Sequence, residues 1–200
     1  SNLWALGRGS AQHPNPLDFA KEVQKRAKAI AETLFGCTII GLQEAGSQEA
    51  VEALANELRS QYGLDYAAWA GSGYQADNPE FPLTTAFLTL KERVDVKSVE
   101  MVQSCSPIDY EVLPGEMVCP QGEFLLFDRP SLVLDATVKG DWQTPYALRV
   151  ISNHLKSKGG DESVNAVRRI EEMRVVARKV QSWIDADAQA QVIVLGDLND

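Results

Sequence analysis

Residues 191–200 read QVIVLGDLND, and the way this stretch ends decides how the rest of the chain is understood. Val192, Ile193, Val194 and Leu195 have the length and β-branching of a buried strand, and the chain turns polar after Gly196. Asp197 and Asn199 lie two apart, so on an extended chain a carboxylate and an amide share one face. That pair suits phosphoryl chemistry: the carboxylate takes a proton from an attacking water, and the amide donates to the charge developing on phosphorus. Gly196 lets the backbone pass close to a ligand.

Two earlier segments end in the same manner. Residues 38–44, TIIGLQE, form a short apolar run closing on Glu44. Residues 146–154, YALRVISNH, close on His154, one of only two histidines in the chain. An imidazole there can donate to a phosphoryl or leaving oxygen. Asn153 beside it, with Lys156 and Lys158 just beyond, are candidates for holding a substrate phosphate. Taken singly, Glu44 reads as a solvated strand end and His154 as a hydrogen-bonded structural residue. Three such ends, each after its own apolar strand, point to one metal-assisted chemistry.

Outward from these segments the chain alternates helices with many short strands. Phe19, Val23, Ala27, Ile30 and Leu34 recur at helical spacing from Pro16 to Leu34, and Gly36 follows as a stop. Ser47 is an N-cap for a second helix carrying Val51, Leu54, Leu58 and Tyr62, ended by Gly63. DYAAWAG, TTAFLTL, VDVKSVEMV and SLVLDATV read as strands. The segments Tyr74–Pro82 and Ser104–Gly122 are long enough to be functional loops. After GGDES, a third helix carries a broad apolar stripe of Val164, Val167, Ile170, Val175, Val176, Val180 and Ile184. Helices mixed with strands, rather than strict alternation, predict two packed sheets with helices outside, as one domain over 1–200.

Composition narrows the class. The 200 residues are 44% hydrophobic and 24% charged, ordinary for a globular protein. No apolar run reaches the ~18 residues of a membrane span, and Ser1–Ser10 lacks the pattern of a signal peptide, so no membrane role is expected. A net charge of −9 excludes a general nucleic-acid coating protein but not an enzyme that meets phosphate through a cation. Arg149, Lys156, Lys158, Arg168 and Arg169 form a basic segment that is either phosphate-facing or a solvated face. The three cysteines lack zinc-site spacing. Cys105 and Cys119 flank a Pro/Gly-rich loop and can pair in an oxidising compartment, whereas Cys37 reads as a core residue.

The series IIGLQE, SNHLKSKGG and VIVLGDLND resembles the endonuclease/exonuclease/phosphatase superfamily, which includes pancreatic-type deoxyribonuclease and the abasic-site repair nucleases. NHLKSKG, preceded by RPSLVLDATV from Arg129, is most similar to the predicted bacterial extracellular nucleases. The resemblance implies an α/β (α+β) fold, a two-sheet β-sandwich flanked by helices in the deoxyribonuclease-like four-layer architecture, with its C-terminal part missing. It implies that Glu44 binds the catalytic Mg²⁺, with Mn²⁺ or Ca²⁺ as alternatives, and that Asn2 lies near that metal. His154 would contact the scissile phosphate, while Asp197 and Asn199 would position the attacking water and stabilise the transition state. The implied partner is nucleic acid, DNA ahead of RNA, with no obligate protein partner, in an extracellular or periplasmic setting. Alternatives are a phosphatase or phospholipase of inositol phosphate or sphingomyelin type, or an inactive binding module. Members of this superfamily continue to a C-terminal Asp-His pair, and His13 lies too early to be its counterpart. The chain therefore reads as the N-terminal two-thirds of such a domain, lacking catalytic parts as it stands.

Overall fold

The computed structural model describes residues 14–71, 83–107, 119–140 and 144–200; Asn2, His13 and most of the two long loops lie outside them. The first helix, α1 (Pro16–Lys28), starts where the Asn15 side chain accepts from the N–H groups of Leu17 and Asp18. The helix predicted to reach Leu34 changes pitch first: Ala29–Thr33 form a π-helical turn. Phe35 and Gly36 then take positive φ, 52° and 62°, and turn the chain away. Cys37 falls in this connection and is exposed, its thiol donating to the Leu34 carbonyl, so it is not the core residue expected.

Strand β1 (Ile39–Ala45), helix α2 (Gln48–Tyr62), β2 (Tyr66–Ala70) and β3 (Thr84–Leu90) complete the first half. Ser47 Oγ accepts from the Ala50 N–H, and Gly63 closes α2 in the left-handed region, both as the sequence predicts. The strands form an antiparallel sheet in the order β1-β3-β2. Ala86, Leu88 and Leu90 of the central strand meet Val23, Ala27, Val51, Leu54 and Leu58 of the two helices. Phe87, one residue out of phase, points to the other side.

A second sheet receives it. It contains β4 (Val94–Val102), β7 (Ser131–Val138), β8 (Tyr146–His154) and β9 (Val192–Asp197), in the order β4-β7-β8-β9. Phe87 packs on its Leu132, Leu134 and Val150. Val133 and Ile151 face outward, where the long helix α3 (Glu162–Ala186) covers them with Val176. The first three strands are antiparallel; β8 and β9 are parallel, joined by α3 as crossover. Helices, sheet, sheet and helix give the four layers expected.

Two details differ from the sequence reading. Among the described residues β9 pairs with β8 alone, and Ile193 and Val194 are 46% and 42% exposed rather than buried. The apolar stripe of α3 is only partly covered, with Val167, Ile170 and Ile184 exposed.

A short hairpin, β5 (Cys105–Ser106) with β6 (Phe124–Leu125), sits beside this sheet and is tied by a Cys105–Cys119 disulfide. The cysteines are separated by 14 residues. Closing a loop of this length restricts the unfolded chain, so replacing both by Ser should lower stability by roughly 3 kcal/mol. The midpoint of urea unfolding under non-reducing conditions reads this directly, and an unshifted midpoint would mean that the link contributes nothing.

Candidate active site

Three strands bring their C-terminal ends to one place. At Gly41 a side chain would stand 2.4 Å from Leu195 Cδ1 and 3.3 Å from Ser152 Oγ, so β1 lies close over β8 and β9 only because this residue has none. Gln43 Nε2 donates to Ser152 Oγ at 3.1 Å and fixes the contact. The pairing of β1 with β3 then breaks between Leu42 and Ala45, and Glu44 adopts a φ of 60°. A bulge of this kind re-aims a side chain at a strand end, and positive φ outside glycine is held only where surrounding structure enforces it.

His154 and Asp197 are register partners across the β8–β9 pair. The Leu155 N–H donates to the Asp197 carbonyl at 3.0 Å, extending the pairing past the end of β8. His154 is 4% exposed, and its Nδ1 has no hydrogen-bond partner among the described residues. Burial pushes the imidazole down to about 4; the Arg129 guanidinium acts in the same direction and Asp197 opposes it. The ring is therefore neutral at pH 7 and presents one N–H as a donor.

Asp197 and Asn199 are brought together, though not by strand alternation. β9 ends at Asp197, and Asn199 has a φ of 53°. The Asn199 N–H donates to Asp197 Oδ1 at 3.0 Å, closing an Asx-type turn. Asn199 Nδ2 donates to the Leu155 carbonyl at 2.8 Å. Arg129 Nη2 reaches the same carbonyl at 3.1 Å. Leu155 thus ties the ends of β8 and β9 to a buried guanidinium.

Arg129 was legible only as the start of RPSLVLDATV, yet it lies among the charges of Asp128, Glu172 and Glu44. Burial weakens its charged form and these carboxylates favour it; an arginine remains protonated under either influence. Its Nε is buried without a partner among the described residues.

The phosphate-binding candidates separate. Asn153 is fully buried: its amide accepts from Ser131 Oγ at 2.7 Å and donates to the Leu195 carbonyl at 3.0 Å. That makes it a fastener between β7, β8 and β9, not a surface group. Lys156 Nζ is held by Asp128 at 3.0 Å. Burial raises the Asp128 carboxyl, but Arg168 and Lys156 outweigh it and hold the group below its ordinary value. Arg149 pairs with Asp135, Arg168 with Asp128, and Arg169 with Glu162, so most of the basic segment is neutralised by neighbours. Lys158 is exposed and lines an open cleft of about 600 Å³ with Gln43, Asp197, Asn199 and Asp200.

Among the described residues no three His, Cys, Asp or Glu side chains form a metal cage. Mg²⁺ does not require one, because it keeps waters and takes one or two carboxylates with substrate oxygens. Glu44, at the register break that ends the β1–β3 pairing, is a carboxylate of the kind that mode of binding uses, and Asn2 lies outside the described residues.

Residues 120–200 match the model of the Endonuclease/Exonuclease/phosphatase family. No curated protein sequence matches the chain. D. rerio TDP2, solved with a single strand DNA product, is similar at 22% identity and a TM-score of 0.51, covering 90% of this chain and 54% of that one. The human Nocturnin catalytic domain with bound sulfate is similar at 15% identity and a TM-score of 0.56, covering 100% and 63%. A Bacteroides thetaiotaomicron mannosyl-6-phosphatase is similar at 15% identity and a TM-score of 0.55, covering 99% and 63%. The chain spans 54% to 63% of the length of these three proteins. The likeness to the superfamily is carried in sequence by residues 120–200 and in fold by nearly the whole chain.

Proposed function

We propose that this chain carries part of the active centre of a Mg²⁺-dependent phosphodiesterase that hydrolyses nucleic acid by in-line attack of water. The reading is supported by His154 and Asp197 standing as register partners, by the Asp197–Asn199 turn beside an open cleft, and by Arg129, whose charge interacts with both His154 and Glu44. Glu44 would hold the cation; bound there, the ion would neutralise phosphate charge and stabilise the leaving oxygen. Asp197 accepts the proton of the attacking water. His154, neutral at pH 7, donates to a phosphoryl oxygen without first having to lose a proton. Asn199 holds Asp197 in place through its backbone N–H, while its side-chain Nδ2 donates to the Leu155 carbonyl. Lys158 draws the phosphate in.

One observation favours a smaller phosphoester instead. Lys158 is the member of the basic segment that lines the cleft, a thin electrostatic footprint for a long polyanion. The fold neighbours include a nucleic-acid complex and a sugar phosphatase, so fold alone does not choose. Assaying the whole protein on plasmid DNA, RNA, sphingomyelin and inositol phosphates, each with Mg²⁺ or EDTA, decides between them. Hydrolysis of DNA that EDTA abolishes is expected; turnover of inositol phosphates alone would transfer the site to the phosphatase reading.

On DNA, Lys158→Ala should raise KM about fivefold and flatten its salt dependence, with turnover little changed, as expected of a screened surface charge. An unchanged salt slope would remove Lys158 from the binding surface. The Cys105–Cys119 disulfide supports an extracellular or periplasmic home; finding both thiols free in protein taken directly from its producing cells would withdraw that support.

A further inference from the structure

The N-terminal half of α3 buries its polar side. Asn165, Arg168 and Glu172 are 7%, 3% and 1% exposed, while Val167 and Ile170 on the same turns are 47% and 53% exposed. Burying charge where apolar side chains were available is unfavourable unless the charges find close partners. Here they do, and the partners lie largely on the segment between β8 and α3. Asn165 Nδ2 donates to the Gly159 carbonyl at 2.6 Å, and Arg169 Nη1 to the Lys156 carbonyl at 3.2 Å. Glu172 Oε2 accepts from the Lys156 N–H at 2.9 Å. Arg168 anchors the other side, donating to the Leu126 carbonyl at 2.7 Å and to Asp128 Oδ1 at 2.6 Å. Lys156 is thereby gripped at its N–H, its carbonyl and its ammonium, and Gly159 at its carbonyl. Between them Lys158 projects, exposed, onto the cleft.

We propose that Glu172 is a positioning residue, fixing the 155–160 segment through the Lys156 N–H so that Lys158 meets the substrate phosphate. The inference rests on the phosphoester reading above. Burial pushes the Glu172 carboxyl up to about 7, opposed by the Lys156 N–H and by Arg168, with Asp128 and Arg129 also facing it. Either protonation state keeps an oxygen that can accept from Lys156, so the role depends on reach and not on charge.

That distinction gives the test. Glu172→Gln keeps the reach and loses the charge; Glu172→Asp keeps the charge and loses the reach. With a fluorescent single-stranded DNA oligonucleotide and Mg²⁺, Glu172→Gln should leave KM within about twofold, whereas Glu172→Asp should raise it about fivefold at similar kcat. The Asp effect should vanish in a Lys158→Ala background, because both changes remove one interaction. Amide exchange reads the anchor without activity: the Lys156 N–H should be protected in the wild type and Glu172→Gln and lose protection in Glu172→Asp. A KM raised as much by Gln as by Asp, independent Asp and Lys158→Ala effects, or fast Lys156 exchange in the wild type would each overturn the proposal. If Glu172→Asp does not fold, the Gln variant and wild-type exchange still decide. A protein inactive on DNA, RNA, sphingomyelin and inositol phosphates alike would defeat the phosphoester reading and Lys158's role, while the exchange result stands apart.

Discussion

Asp197→Asn is expected to lower turnover by about 10²-fold or more while leaving substrate affinity and fold nearly intact. The substitution isolates basicity. Asp197 Oδ1 accepts the Asn199 N–H, and an asparagine oxygen in the same place can do so too, so the turn that shapes the end of β9 survives. What disappears is the capacity to take a proton from water. His154→Ala should fall in the same class, about 10²-fold in kcat with little change in KM, because its hydrogen bond is worth most once charge has developed on the phosphoryl group. Glu44→Gln should differ in kind: the concentration of Mg²⁺ needed for half-maximal rate should rise, since an amide is a poorer ligand for a hard cation. Steady-state kinetics across a Mg²⁺ titration separates the three. Near-normal turnover in both Asp197→Asn and His154→Ala would mean that the chemistry has been misassigned.

The second large effect is one of stability. Gly196→Ala should cost about 3–5 kcal/mol or prevent folding altogether, a magnitude reserved for steric conflicts that cannot relax. Gly196 has a φ of 134°, and a Cβ there would stand 2.0 Å from the Asn153 carbonyl oxygen and 2.7 Å from its nitrogen. These are backbone atoms of the central β8 strand, so no side chain can swing aside. Gly122 is the control, because its φ is 84° but nothing lies within 4 Å of where a Cβ would stand. Gly122→Ala should cost only the left-handed penalty, about 1–2 kcal/mol. Urea midpoints for the two variants should differ widely; equal shifts would mean that β9 can move off β8 without loss.

Much of this was readable because local signals and long-range packing agree. The caps at Ser47 and Gly63, the strands β3 and β7, and the polar ends of β1, β8 and β9 all follow from period and residue type. The misreadings share a cause: burial depends on what lies on the far side of an element, which periodicity does not contain. The run Val192–Leu195 has a core strand's composition but, among the described residues, stands at the edge of its sheet. α3 shows an apolar stripe, while Leu126, Asp128, Lys156 and Gly159 supply partners from other segments that make the polar side of its N-terminal half the buried one. The i, i+4 spacing of Arg168 and Glu172 was the one visible hint. Arg129 and Asn153 escape the sequence reading for the same reason. A lysine-flanked asparagine looks like a ligand for phosphate, but Ser131 and the Leu195 carbonyl, 22 and 42 residues away, already claim it.

The Asn153–Gly196 pairing has a further consequence, for which alignments the chain can adopt. Slipping β9 by one residue along β8 would turn Asp197 to the opposite face of the sheet. It would also place Leu195 or Asp197 opposite Asn153, where the backbone conformation of Gly196 leaves no room for a Cβ. Parallel ladders are evenly spaced and do little by themselves to distinguish one offset from the next. In the observed offset the residue at the close approach is glycine, and the amide of Asn153 donates to the Leu195 carbonyl. The close approach that only glycine fits thus stands next to Asp197, so the same residue that sets the spacing of β9 on β8 also sets where the reactive carboxylate falls.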